Sequence, residues 1–338
     1  MLFKIVTLIG GFIILYLGAE GLVRGAKRLS ITLGIHPLVV GITVVAFGTS
    51  APELVVSLTA IFRNSPAIAV GNIVGSNVAN MALILGLSAF LSPMKVHDRT
   101  VRIEVPIVIF AGILFYIFAG NQEITRIEGI FLLGGFVAFF VFAVLPQILK
   151  SWTPLPEDLE IELDNPVTDE EVAEARAQQT IVTDILLLAL GIAGLVYGGE
   201  LTVSSARYIA RYFDISEMVI GATIVAFGTS LPELATSIVA AMKNEPDISV
   251  GNVIGSNLFN ILIVGGASAT ARGYIPIETD TLMYDFPIMV GLSIIIMPLL
   301  RTGRELDRLE GLGLIMVYIA YILLIIIRPH FLGNIFPL

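Results

Sequence analysis

Residues 41–60 read GITVVAFGTSAPELVVSLTA, and residues 221–240 read GATIVAFGTSLPELATSIVA. Thirteen of the twenty positions are identical at an offset of 180. Both stretches are apolar enough to lie in a membrane, yet each carries a Pro and a Glu near its centre: Pro52 and Glu53, then Pro232 and Glu233. Proline inside a helix removes a hydrogen bond and crowds the preceding turn. A carboxyl group in hydrocarbon is costly and marks function by default. The two features recur as a set and in register.

The 338 residues are 56% hydrophobic and only 14% charged, with a mean hydropathy of +0.91. Soluble domains carry about 25% charged residues, so the composition is that of a polytopic membrane protein. The net charge of −9 comes largely from one segment, EDLEIELDNPVTDEEVAEA, and no basic tract points to nucleic acid. With no cysteine, disulfides, thiolate metal sites and cysteine nucleophiles are excluded. His36, His97 and His330 are the only histidines, too scattered along the chain to suggest a zinc site. The N-terminal MLFKIVTLIGGFIILYLG reads as a first transmembrane helix rather than a removed leader.

Apolar runs long enough to cross a bilayer fall at roughly 3–24, 38–62, 67–91, 102–119, 127–148, 181–203, 218–242, 247–270, 284–300 and 308–328. The long polar connection, 149–179, carries nine acids against Lys150 and Arg176. It separates two similar halves. VGNIVGSNVAN (70–80) matches VGNVIGSNLFN (250–260) at seven of eleven positions. LGAEGLV pairs with GGELTV, EVPI with DFPI, and TRIEGI with DRLEGL. Five spans per half is an odd number, so the second half enters the membrane from the opposite side, as in many secondary transporters. The expected fold is therefore all-α and polytopic, with ten transmembrane helices in two inverted five-helix repeats, 1–148 and 180–338. Loops after the odd-numbered spans hold 12 of the 19 Lys and Arg. The positive-inside rule then puts the N-terminus outside and the 149–179 loop in the cytoplasm.

Thr49, Glu53 and Ser57 are spaced i, i+4, i+8 and share one helix face. Ser50 lies beside them. Pro52 cannot donate to the Gly48 carbonyl, so the helix is expected to break near 46–52, leaving the carbonyls of Ala46 and of Gly48 to Thr49 unpaired. Irregular backbone at membrane depth is tolerated only where it lines a cavity. Asn72, Ser76 and Asn80 repeat the spacing on the next span, and the second half duplicates both sets as Thr229, Glu233, Ser237 and Asn252, Ser256, Asn260. Brought together, the two broken helices make a cage of carboxylates, amides, hydroxyls and carbonyls. These hard oxygen donors suit Ca²⁺ or Na⁺ and do not suit zinc or copper. Two ionised glutamates would be neutralised by one Ca²⁺. Without a cation, at least one of them should hold a proton, so ions and protons compete for the cage. Glu20 and Glu200 also repeat, near helix ends, where a structural or gating role is expected.

These motifs, GTSAPE with GNIVGSNVAN and GTSLPE with GNVIGSNLFN, resemble the two α-repeats of the sodium/calcium exchanger family within the cation/calcium antiporter superfamily. The likeness spans the whole chain and is greatest to short prokaryotic members. It implies a central calcium site of Glu53 and Glu233 with the carbonyls of Thr49 and Thr229. It further implies a sodium site of the Ala46 carbonyl, Thr49, Ser50, Ser76 and Glu53, and a mate of the Ala226 carbonyl, Thr229, Ser230, Ser256 and Glu233. Asn80 and Asn260 would line a middle position. The resemblance also implies electrogenic exchange of about three Na⁺ for one Ca²⁺ by alternating access, with the first and sixth helices sliding over a rigid remainder. Asn260 stands where the potassium-dependent branch has Asp, which predicts little or no K⁺ requirement.

On this reading the chain is not an enzyme. It has no cofactor, carries Ca²⁺ and Na⁺ as substrates, sits in the prokaryotic inner or plasma membrane, and needs no obligate protein partner. A H⁺/Ca²⁺ antiporter is the alternative, although the Glu-His pair of that branch is missing from GNIVGS and GNVIGS. A cation channel fits less well, since channels ring one pore with several subunits. An intramembrane hydrolase fits least, because the Thr, Ser and Asn decoration suits coordination.

Overall fold

The computed structural model describes residues 1–150, 181–213 and 228–335. Nearly all of the 149–179 loop, Ala226, and the first part of the span expected over 218–242 lie outside these residues. The helices are α1 (Leu2–Leu33), α2 (Pro37–Thr49), α3 (Ala51–Phe62), α4 (Pro66–Leu91), α5 (Thr100–Ala119), α6 (Arg126–Leu149) and α7 (Ile181–Tyr212), followed by α8 (Leu231–Met242), α9 (Pro246–Arg272), α10 (Thr281–Arg301) and α11 (Arg308–Ile335). Among the described residues, eight are long and apolar enough to cross a membrane. The pair α2 and α3, bent by 42° at its break, makes a ninth if counted as one span. Exposed Phe3, Phe12, Phe110, Phe131 and Phe142 belong to an apolar periphery suited to lipid.

Helices α1 and α7 each run 32 residues, well past the apolar stretches expected at 3–24 and 181–203. An apolar window stops at the first charges, but the helix does not. Its polar end is held by Lys27 on Glu245 at 2.8 Å, while Glu20 takes Lys243 at 2.9 Å as well as Arg24. The pairing with Lys243 ties this part of α1 to the residue that follows α8. Gly34, at φ 65°, ends α1. There the Ile35 N–H donates to the Ser30 carbonyl at 2.9 Å, a Schellman turn. α1 and α7 pack on a glycine seam, where a Cβ on Gly191 would come within 2.6 Å of the Leu22 nitrogen. Such small residues let membrane helices approach closely.

Two short ladders modify the all-α expectation. β1 (Met94–Lys95) pairs antiparallel with β4 (Glu305–Leu306), and β2 (Glu123–Thr125) pairs antiparallel with β3 (Tyr274–Pro276). In each ladder a strand from one half of the chain meets a strand from the other. Strands of two or three residues leave no legible alternation in a sequence. The repeated TRIEGI and DRLEGL prove to be helix starts. Thr125 and Glu128 form a capping box, and in the second copy the Asp307 carboxylate accepts from the Glu310 N–H at 2.7 Å while Glu310 accepts from the Asp307 N–H at 3.0 Å.

The largest apolar cluster centres on α4 and α9, with Ile73, Val78, Val253 and Leu258 buried in it. A smaller cluster joins α1, α7 and α8 through Leu15, Leu22, Leu188, Leu195 and Val239. α2 lies tight against α9. A Cβ added at Gly255 would overlap the Ile42 carbonyl oxygen and come within 2.6 Å of Ala46 Cβ.

Candidate functional site

The break between α2 and α3 falls on Ser50, whose φ of −87° and ψ of 4° are not helical. Ser230, at −86° and 7°, makes the same turn before α8. Pro52 and Pro232 then occupy the first helical turn, where a missing N–H does no harm. The chain before the first break loosens into a wide π-helical turn over Gly41–Val45. One expectation fails here. The Ala46 carbonyl is not left unpaired: it accepts from the Ser50 N–H at 2.9 Å and lies 3.4 Å from Thr49 Oγ1. The break shifts the ladder rather than stripping that oxygen.

Contacts across the two halves come in matched pairs. Ser50 donates to Glu233 Oε1 at 2.8 Å, and Ser230 to Glu53 Oε1 at 3.3 Å. Thr49 donates to Asn252 Oδ1 at 3.0 Å, and Thr229 to Asn72 Oδ1 at 3.1 Å. The amide nitrogen of Asn72 donates to Ser57 Oγ at 2.9 Å and the Glu53 carbonyl at 3.2 Å. Its counterpart Asn252 donates to Ser237 Oγ at 3.0 Å and the Glu233 carbonyl at 3.3 Å. Ser76 Oγ is 3.2 Å from Ser230 Oγ.

Glu53 and Glu233 are 1% and 0% exposed, and Thr49, Ser50, Ser76, Asn80, Ser230, Ser256 and Asn260 are buried with them. Among the described residues no Lys or Arg pairs with either glutamate. Glu53 Oε2, Glu233 Oε2, Asn80 Oδ1, Asn260 Oδ1 and Ser256 Oγ are buried with no described hydrogen-bond partner. An orphaned buried oxygen costs about 1–3 kcal/mol, more when charged, so five of them call for an explanation. Their chemistry fits a hard cation. Asn80 and Asn260 lie in π-helical turns, Ala79–Ile84 and Phe259–Gly265, a distortion that often marks functional positions.

Of the twelve residues singled out in the sequence, Glu53, Glu233, Thr49, Thr229, Ser50, Ser230 and Ser76 are linked by these contacts. Asn80, Asn260 and Ser256 contribute the unpaired oxygens, and Ala46 sits at the break. Ala226 lies outside the described residues. Asn72 and Asn252 tie the halves together more directly than their place near the start of their spans suggested. Their signal was present, since each follows Gly at the same register in both halves. Asn257 stands outside the i, i+4, i+8 sets, and its Oδ1 accepts from Asn80 Nδ2 at 2.9 Å. His36 and His97, distant in sequence, stand with ring centroids 4.8 Å apart, both beside Asp247. Burial holds the His36 imidazole below the usual histidine range, with Asp247 opposing and His97 and Arg99 reinforcing.

A family model described as "Sodium/calcium exchanger protein" matches residues 3–145 and 183–327. The chain is 37% identical over 318 residues to the inner membrane protein YrbG of Escherichia coli (strain K12), covering 94% of each. To the sodium/calcium exchanger MaX1 of Methanosarcina acetivorans it is 33% identical over 341 residues, covering 93% of this chain and 96% of that one. A solved structure of the sodium-calcium exchanger NCX_Mj, soaked with Na⁺ and Sr²⁺, matches with a TM-score of 0.77 and 31% identity, over 94% of this chain and 97% of that one.

Proposed function

The chain belongs to the sodium/calcium exchanger family, and we propose that within it this protein exchanges Na⁺ for Ca²⁺ across a prokaryotic inner membrane. It is a multi-pass integral membrane protein and a cation/calcium antiporter. The reading rests above all on the reciprocal cage of Glu53 and Glu233, with its five unpaired buried oxygens. Ca²⁺ takes six to eight oxygens. The two glutamates supply neutralising charge, the Thr49 and Thr229 carbonyls complete the central position, and Asn80 and Asn260 line the middle. Ala46, Thr49, Ser50 and Ser76 flank one side for Na⁺, and Ala226, Thr229, Ser230 and Ser256 flank the other. Competition for shared oxygens couples the fluxes: the cage cannot hold a full set of both ions, so one cargo leaves as the other enters. About three Na⁺ for one Ca²⁺ moves net charge.

The matched contacts and the strand ladders between halves support two inverted five-helix halves, 1–148 and 180–338, with ten spans, and the Lys and Arg bias of the loops supports a cytoplasmic 149–179 loop. ⁴⁵Ca²⁺ uptake into proteoliposomes loaded with Na⁺ should require the outward Na⁺ gradient. A parallel set with no Na⁺ gradient and an imposed pH gradient separates the second reading, H⁺/Ca²⁺ exchange, which draws support from carboxylates able to take protons. Uptake driven by pH alone refutes Na⁺ coupling. Uptake that needs no gradient and does not saturate refutes exchange.

A further inference from the structure

Away from the glutamate cage, three connecting segments meet at one end of the molecule. His36 caps the start of α2, where its Nδ1 accepts from the Leu38 N–H at 3.2 Å. His97 follows β1, and Asp247 lies in the first turn of α9. His97 Nε2 is 3.3 Å from Asp247 Oδ2, and His36 Nε2 is 3.9 Å from the same oxygen. One ligand atom from each residue falls within 4.8 Å of the others. The side chains are 27%, 29% and 19% exposed for His36, His97 and Asp247, so the group is held in place yet open to solution.

We propose that His36, His97 and Asp247 form a second cation site, chemically distinct from the cage, that binds one transition-metal dication of the Zn²⁺ type. Two imidazoles and a carboxylate are donors that suit Zn²⁺, Co²⁺ or Ni²⁺ and are poor ligands for Ca²⁺ or Na⁺. Three protein ligands leave a fourth tetrahedral position for water. Bonds of about 2.0–2.1 Å place tetrahedral ligand atoms roughly 3.3 Å apart. The His97–Asp247 pair already has that spacing, and His36 closes on them by side-chain rotation.

His36 meets a local conflict. Ligation through Nε2 moves its ring proton to Nδ1 and gives up the bond from Leu38 N–H. Metal binding therefore loosens the first turn of α2, the helix that leads to Thr49 and Ser50. The site also joins the connection after α1 to the starts of α5 and α9, which places a metal clip across three segments of different origin in the chain.

The test uses the full chain, purified in detergent, freed of any affinity tag, with excess Ca²⁺ present to fill the cage. Titration with Zn²⁺ against a chromophoric chelator should give one Zn²⁺ per chain, and Co²⁺ in its place should show the intense visible bands of four-coordinate cobalt. His97→Gln and Asp247→Asn should each weaken Zn²⁺ binding by more than about tenfold, the loss seen when even an outer partner of a metal site is removed. The double variant Glu53→Gln, Glu233→Gln should bind Zn²⁺ as the native chain does. If His36→Ala fails to fold for want of its cap, His97→Gln leaves that cap intact and decides the matter. Absence of saturable Zn²⁺ binding overturns the proposal. So does binding that survives His97→Gln with Asp247→Asn, or that disappears with the two glutamates.

Discussion

At the scale of single residues, Glu53 and Glu233 dominate because each is a fully buried carboxyl group with one oxygen satisfied and one not. Glu53→Gln and Glu233→Gln keep size and lose charge. Each should abolish Ca²⁺ transport while the protein still elutes as a folded species. Ca²⁺ at 100 times its dissociation constant should stabilise the native chain by about 2.7 kcal/mol, and a thermal-shift assay should find that gain missing in both variants. Asn260, with neither amide atom partnered, marks the position where a further charge would enter. Asn260→Asp should make Ca²⁺ uptake respond to K⁺, measured with and without K⁺ at fixed Na⁺ gradient; an unaltered response refutes the link between this residue and ion choice. These residues were legible in the sequence because they repeat at i, i+4, i+8 in both halves. Asn257 and the His36–His97–Asp247 group were not, because their meaning lies in neighbours that only folding supplies.

Among the elements, the break at Ser50 and the close seam between α2 and α9 position the site. Gly255 faces the Ile42 carbonyl and Ala46 Cβ with no room for a side chain. Gly255→Ala should cost about 1–3 kcal/mol, the usual penalty for overpacking, seen as a lowered midpoint in thermal unfolding. Gly134→Ala, where a Cβ meets nothing within 4 Å, should be neutral or stabilising by about 0.5–1 kcal/mol. Equal effects from the two would argue against the seam. Helix existence was readable from apolar runs; helix ends were not. α1 continues past its apolar stretch because Lys27–Glu245 and the close approach at Gly25 hold its polar turns, and α7 does so with Ser205 on Thr7 Oγ1 at 3.0 Å and Tyr208 under Lys4. The β1–β4 and β2–β3 ladders escaped the sequence since strands this short carry no period.

On the scale of the whole molecule, the orientation and the net charge moved are the properties to measure. The chain has no cysteine, so single substitutions give clean labels. Asn121, after α5, and Thr302, after α10, are both exposed. A membrane-impermeant maleimide on intact cells should label Asn121→Cys and spare Thr302→Cys; the opposite pattern overturns the assigned orientation. Exchange of about three Na⁺ for one Ca²⁺ moves one charge per cycle, and one charge across 100 mV is worth about 2.3 kcal/mol. Three Na⁺ leaving for each Ca²⁺ entering carry one net positive charge outward, so an interior-positive potential set with K⁺ and valinomycin should speed Na⁺-driven Ca²⁺ uptake and an interior-negative potential should slow it. Indifference to potential excludes this stoichiometry.

The sequence by itself determined that the chain lives in a membrane, that it is built on an internal repeat, and that each copy holds a broken helix with a carboxylate. Those follow from local rules: hydrocarbon excludes charge, proline interrupts a ladder, and a four-residue spacing keeps side chains on one face. Tertiary structure alone decided which copy's oxygen meets which. Ser50 reaches Glu233 rather than Glu53, Thr49 reaches Asn252 rather than Asn72, and His36 finds His97 and Asp247. The physical reason is that such partners are fixed by the packing of α2 against α9 and of one half against the other, and a linear pattern carries no record of that geometry.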